Sequence, residues 1–484
     1  MNKTLKGIAI VFTIFISLSC LPFSLAGTPV VKGSPTAVVA LPTLMLGTST
    51  VPPTPTDTRA PASLNTSGPF IAFNGLNGVW ITNPDGSFPT RLSPYGIQTD
   101  LRRAISPTGD RMALVIRTDQ GLDLVLVDIP GGETQTIAHL ISFTSTDESS
   151  NPTSPKAFAF YAIGGYDDVA WQPGSGRLLA FTGAIDGPTS DLYLYDTQTR
   201  EIKQLTSGSS QSIMPTWSPD GQYILNFGVS WVPPFGGAIL GANQLDGVWA
   251  VQISDGKVIQ LPKPAGNTLH LVGWQDDSHY LTYDSDAACT FQNLRSVDVV
   301  SGQVTLIMPY SFDWGIAQSP ENRALLFSGG TGCPSSLGAG TYLLLPGQTT
   351  PGKFLDKQAD EIDWLPDSGF FFAYPEALLS SDGQTRYDPP VYDSSYHPAV
   401  SKEGFQAWQV IENQEGRVEV KVPGGEWQTI LAGFVNQLTW DPLDGKTLLI
   451  AMDNGSLYAA SYPDFAPRLM GNLGDNVNQA VWIP

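Results

Sequence analysis

The chain has 484 residues, 42% of them hydrophobic, which is enough for a large packed core and too many for a disordered polymer. Its 25 Lys and Arg stand against 45 Asp and Glu, and the resulting formal charge of -20 repels a phosphate backbone, so no nucleic-acid partner is expected. With 49 Gly, 39 Pro and little helical periodicity after the first 26 positions, the composition predicts an all-β chain rich in turns.

Residues 1–26 set Lys3 and Lys6 ahead of an apolar run from Ile8 to Leu18, the order of an export signal. Two processing routes fit: lipidation of Cys20, with Ser17 where a lipoprotein signal usually carries Leu, or cleavage after Ser24-Leu25-Ala26. An uncleaved anchor is a third. Residues 27–68 are rich in Pro, Thr, Ser and Ala and hold no aromatic ring, so they are expected to be a disordered tether to a folded body at 69–484. The expected location is extracytoplasmic, secreted or at the cell surface as a lipoprotein, with membrane contact only through an N-terminal lipid or anchor.

Within the folded body one plan recurs. Its copies are "RRAISPTGDRMALVI" (102–116), "DVAWQPGSGRLLAFTG" (168–183), "MPTWSPDGQYILNF" (214–227), "LVGWQDDSHYLTYDS" (271–285), "GIAQSPENRALLFSG" (315–329), "EIDWLPDSGFFFAYP" (361–375), "HPAVSKEGFQAWQVI" (397–411) and "LTWDPLDGKTLLIAM" (438–452). Each joins two apolar pieces through a turn of Pro, Asp, Asn or Gly, the signature of a β-hairpin. A second pair of strands follows most of them, as in "LDLVLVDIPGGE" (122–133) and "SDLYLYDTQTRE" (190–201).

Four antiparallel strands every ~40 to 50 residues is the repeat of a β-propeller blade. The folded body opens on "PFIAFNG" (69–75), a second strand without a first, and the chain ends on "NQAVWIP" (478–484), a first strand alone. The sequence therefore predicts an all-β, single closed β-propeller of eight or nine four-stranded blades, the first completed by the C-terminal strand. The doubtful stretch is 375–398, where outer strands are hard to find and Pro falls where ladders need donors. Trp217 and its equivalents Trp171, Trp274, Trp364, Trp440 and Trp482 are expected to pack between blades.

The "PTWSPDGQYILNF" hairpin with its following strands resembles the TolB-like, WD-repeat-like β-propeller family, whose repeats also occur in prolyl-oligopeptidase and dipeptidyl-peptidase relatives. The resemblance spans 69–484 and implies the fold; it says little about activity, because the repeat serves unrelated functions. The chain departs from TolB in having the tether where TolB carries an α/β domain. It departs from the peptidases in lacking a G-x-S-x-G elbow and a catalytic half after the closing strand.

In such a ring the long connections, 142–168, 229–247, 284–294, 328–340 and 375–398, crowd onto one rim, which is the expected recognition face. Its aromatic residues Phe160, Tyr161, Tyr166, Trp231, Phe235 and Phe291 are the candidate platform for a protein, peptide or glycan; the ordinary alternative is that they tuck under their own loops. Asp167, Asp168, Asp284 and Asp286 lack calcium-loop spacing and read as turn caps. Cys289 and Cys333 each stand six residues after Tyr283 and Phe327, at equivalent points of adjacent units, and form a candidate disulfide.

His139, His270, His279 and His397 show no metal-binding spacing, and only His397, in a first-strand position before Pro398, falls near the inner surface of the ring. No catalytic residue, cofactor or metal is signalled, and a monomer is expected. The reading is a non-enzymatic binding propeller; the alternative is a glycan lyase or hydrolase with carboxylates at the channel mouth.

Overall fold

The computed structural model describes residues 63–483 apart from 76–77, 94–99, 145–146, 148–150, 152, 166–168, 231–244, 263–267, 286–290, 313–315, 331–335, 366–368, 375–376, 391–393 and 473–476. Tyr166, Trp231, Phe235, Cys20, Cys289 and Cys333 lie outside the described residues.

The recurring Ser-Pro-Asp-Gly turn explains the form of the repeat. Ser218 is fully buried, and its hydroxyl donates to Asp220 Oδ1 at 2.6 Å while accepting the N–H groups of Gln222 and Tyr223 at 3.1 and 3.0 Å. Gly221 closes the reversal at φ +70°, a region costly for any residue with a Cβ. Ser106 and Ser401 play the same part, accepting from Arg111 and Phe405. The Trp ahead of the turn ties blade to blade: the indole of Trp217 donates to Ala170 O, and that of Trp171 to Ala104 O, each at 2.8 Å. Trp274 and Trp440 are also buried, whereas Trp364 and Trp482 are half-buried.

The described strands form nine antiparallel sheets, so the protein is a nine-bladed β-propeller. From blade three onward the chain order is also the spatial order from the inner edge of each blade outward. The inner strands are Val169–Trp171, Gln211–Trp217, Thr268–Trp274, Ile316–Gln318, Glu361–Leu365, Ser394–Val400 and Val435–Trp440 for blades three to nine. Blade one has Phe70–Gly75, Gly78–Thr82 and Thr90–Ser93, and its inner strand is the C-terminal Gln479–Ile483, pairing Ile71 with Trp482 and Phe73 with Ala480. Apolar clusters then fill the interfaces between blades around the circle, from Val79 and Met112 between blades one and two to Ile71 and Leu449 between nine and one.

Three findings differ from the sequence reading. The stretch 375–398 does supply outer strands, Ala377–Ser380 and Arg386–Tyr387 of blade seven, which decides for nine blades. Blade two has three strands, Arg111–Thr118, Gly121–Asp128 and Thr134–Ser142; the expected first strand is a single helical turn, Leu101–Ala104. Asp100 caps that turn by accepting from Arg102 N at 2.9 Å, and a lone bridge from Ile105 to Met112 is all that remains of the inner ladder.

The long connection after blade two carries the third difference, a helix at Pro155–Gly165. Its Ala157, Ala159, Ala162 and Ile163 are completely buried, as expected of a helix apolar on most of its circumference. No helix among the described residues is long and apolar enough to cross a membrane.

Candidate functional site

Blade topology sets which end of each inner strand faces which rim. An inner strand starts at the link from the previous blade, on the rim shared with the connections between second and third strands, and ends at the tight turn on the opposite rim. Residues early in the inner strands therefore lie toward the long-loop rim.

The described aromatic candidates do not form an exposed platform. Phe160 and Tyr161 belong to the helix Pro155–Gly165 and are 6% and 8% exposed; Phe160 stacks on Phe143 at 4.4 Å and lies under the Arg117 guanidinium. Phe291 is equally buried, packed against Tyr283, Phe312 and His270. These three rings hold the rim together from beneath. His139 sits on an outer strand beside Asp123 at 2.6 Å, and His279 beside Asp276 at 2.9 Å near a tight turn.

The structure instead brings polar side chains together in the central channel. One cavity of about 370 Å³ is lined by Glu361 and Asp363 of blade seven, His397 of blade eight, Gln437 of blade nine, Gln479 of the closing strand and Arg102 of the helical turn. A second, of about 450 Å³, is lined by the far ends of the inner elements of blades one to four, including Trp171, Trp217 and Trp482. Arg102 borders both cavities and so stands between them. Arg103 reaches to Pro215 O, and Gln479 binds the helical turn twice, accepting from Leu101 N at 2.6 Å and donating to Asp100 at 2.7 Å.

His397 is aimed by a backbone irregularity. The blade-eight register shifts between Tyr396 and Ala399, and His397 takes φ +45° immediately before Pro398. Met214 before Pro215 repeats this in blade four, with φ +55°. A bulge of this kind turns a side chain out of the ladder, here toward the channel. The surrounding walls hold the His397 imidazole below its ordinary value and the Asp363 carboxyl above its own, because both would ionise in a confined space. Glu361, Asp363 and Gln437 were not singled out in the sequence, since nothing in their spacing brings their two strands together with that of His397.

Two carboxylates buried in the blades differ in their support. Asp284, 1% exposed, sits in the second strand of blade five as the ion-pair partner of Arg295, with Asn293 at 3.3 Å, rather than capping a turn. Asp191, 5% exposed, opens the third strand of blade three, where burial, opposed by bonds from Thr206 and Gln204 and reinforced by the charge of Asp186, pushes its carboxyl up to about 6.

That direction has a consequence for stability. The folded state binds the proton more tightly than the unfolded state, so stability rises as pH falls through about 6 toward the unfolded value near 4. At neutral pH the ionised Asp191 costs at most about 3 kcal/mol. The neutral isostere Asp191→Asn is expected to raise Tm by roughly 2–3 °C at pH 7.5 and to lose that advantage at pH 4.5; an advantage independent of pH in scanning calorimetry would refute this account.

No known family profile matches the chain, and no curated protein does. Among solved structures, a eukaryotic initiation factor aligns with 86% of this chain and 99% of its own at 13% identity and a TM-score of 0.53. An oligogalacturonate lyase in complex with manganese aligns over 60% of this chain and 86% of its own at 16% identity, with a TM-score of 0.34. TolB from Acinetobacter baumannii aligns over 77% of this chain and 82% of its own at 12% identity, with a TM-score of 0.28. The first likeness shows a shared fold, and the other two overlays carry no argument about function. Among the described residues no three His, Cys, Asp or Glu side chains are grouped to hold a metal ion.

Proposed function

We propose that the protein is an exported, non-enzymatic binding propeller that takes a protein, peptide or glycan at its long-loop rim. One observation carries this reading: Glu361, Asp363, His397 and Gln437, from the inner strands of three blades, line one cavity in the channel. Polar groups gathered in a concave site can fix the orientation of a ligand. The export signal and tether complete the reading, with Cys20 or the bond after Ala26 as the processing site. A disulfide between Cys289 and Cys333, both outside the described residues, is proposed as its staple.

The enzyme reading has one observation in its favour, the presence of Asp363, Glu361 and His397 in a single cavity. One experiment separates the two. The exported chain is purified, its intact mass read for the processing site and for the loss of two hydrogens, and then applied to peptide and glycan arrays beside a Glu361→Gln, Asp363→Asn, His397→Asn variant. Asn is chosen at 397 because it tolerates the left-handed backbone. The binding reading predicts retention of an unchanged ligand and at least tenfold weaker binding by the variant. Shortened or unsaturated products that accumulate with time would establish the enzyme reading, and undiminished binding by the variant would remove the channel as the site.

A further inference from the structure

A third cavity, a cleft of about 440 Å³, opens on the long-loop rim between blades three and four. Thr206 and Ser210 of the link between these blades and Ser212 of the blade-four inner strand form one side, Asn226 and Trp249 of blade four the other, and Asp191 borders it from blade three.

Three features of this cleft point to a ligand. Asn226 is 1% exposed and donates its amide to Ser212 Oγ at 2.9 Å, yet its Oδ1 has no partner. Asp191 takes a 3.3 Å contact from Thr206 Oγ1, whose hydroxyl also lies 3.2 Å from Ser212 Oγ, and a bond from Gln204, which leaves part of a carboxylate's roughly four acceptor positions to fill. The Trp249 ring lies so close to Gly228 and Gly247 that a Cβ on either would come within 2.1 and 2.8 Å of it, while the residue itself stays half-exposed on the cleft. Glycine at both positions lets the indole lie against the backbone beneath it.

An aromatic face beside two buried acceptors and a row of hydroxyls complements a ring that is apolar on its C–H face and carries O–H donors at its edge. A phosphate would meet the Asp191 carboxylate, whereas a sugar ring brings a C–H face for the indole and several O–H donors at once. We propose that this cleft binds a neutral sugar ring, stacked on Trp249 and hydrogen-bonded through its hydroxyls to Asp191, Asn226 and the Ser and Thr hydroxyls of the link. The proposal rests on the reading of the protein as a binding propeller, names a glycan as its ligand, and places a subsite outside the channel.

The test titrates the exported chain with maltohexaose, cellohexaose, N-acetylglucosamine hexamer and β-galactan oligomers, followed by calorimetry and indole fluorescence. At least one is expected to bind saturably and shift the fluorescence. Trp249→Ala should weaken binding about tenfold or more, Trp249→Phe only a few-fold, and Asp191→Asn about tenfold. Melting curves of Trp249→Phe and Asp191→Asn at or above the wild type keep folding out of the result. The channel variant Glu361→Gln, Asp363→Asn, His397→Asn is titrated beside them, as the arm that reports binding in the channel instead of the cleft. The proposal is overturned if no pyranose oligomer binds, or if binding survives Trp249→Ala and Asp191→Asn unchanged. Loss confined to the channel variant would also overturn it while leaving the binding reading intact.

Discussion

A chain ending at Val477 is expected to lose its cooperative unfolding transition. The strand Gln479–Ile483 fills the inner place of blade one in five registered pairs, from Phe70 with Ile483 to Asn74 with Gln479. Val481 and Ile483 are buried, Ala480 N donates to Gln437 Oε1 of blade nine at 2.8 Å, and Gln479 holds the helical turn of blade two. Each large apolar side chain returned to water costs about 1.5–3 kcal/mol, and the orphaned ladder adds roughly 0.5–1.5 kcal/mol for each hydrogen bond. The sum approaches the whole stability of an ordinary domain, about 5–15 kcal/mol. It also leaves an unpaired edge on Phe70–Gly75 that invites self-association. Circular dichroism during heating and sedimentation of the truncated chain check this; a sharp transition within a few degrees of the full chain would show that the ring does not depend on its closing strand.

Replacing Arg295 by Met should destabilise the protein by about 3–5 kcal/mol, the largest effect expected of a single side chain in blade five. The substitution keeps the aliphatic stem but leaves the Asp284 carboxylate, 1% exposed, without its ion-pair partner. Restoring neutrality with Asp284→Asn on the same background should recover more than half of the loss, because the penalty is that of an uncompensated charge rather than of a missing contact. Equilibrium urea unfolding of the wild type, the single and the double variant reads both numbers. A double variant no more stable than Arg295→Met would mean that the guanidinium supports packing instead.

The fold was legible because its information is local and repeated. Ser218, Asp220 and Gly221 need only one another to make their turn, and Trp217 announces the blade interface from the adjacent position in sequence. The helical turn at Leu101–Ala104 was missed because Leu101 and Ala104, at the i, i+3 spacing of one helical face, are too few to show a period. The helix at Pro155–Gly165 did carry a readable signal: Ser154 precedes Pro155, and its hydroxyl accepts from Ala157 N at 3.1 Å, the arrangement of a cap followed by Pro in the first turn. Reading "KAFAFYAI" as loop gave Phe160 and Tyr161 to the surface, whereas the helical period turns them inward. Asp363, His397 and Gln437, like Asp191, Asn226 and Trp249, meet only because blades stand side by side. Such convergence leaves no trace in spacing along the chain.

The position of Phe70–Gly75 has a mechanical meaning. This first described strand is flanked on both sides, by Gly78–Thr82 and by Gln479–Ile483, so a force arriving from its N-terminal side loads two ladders in shear instead of peeling one away. Hydrogen bonds sheared together must fail nearly at once, whereas those at a free margin unzip singly. Traction from the N-terminal side would thus be met by the blade that joins the first described strand to the last, and rupture would require the circle to open there first.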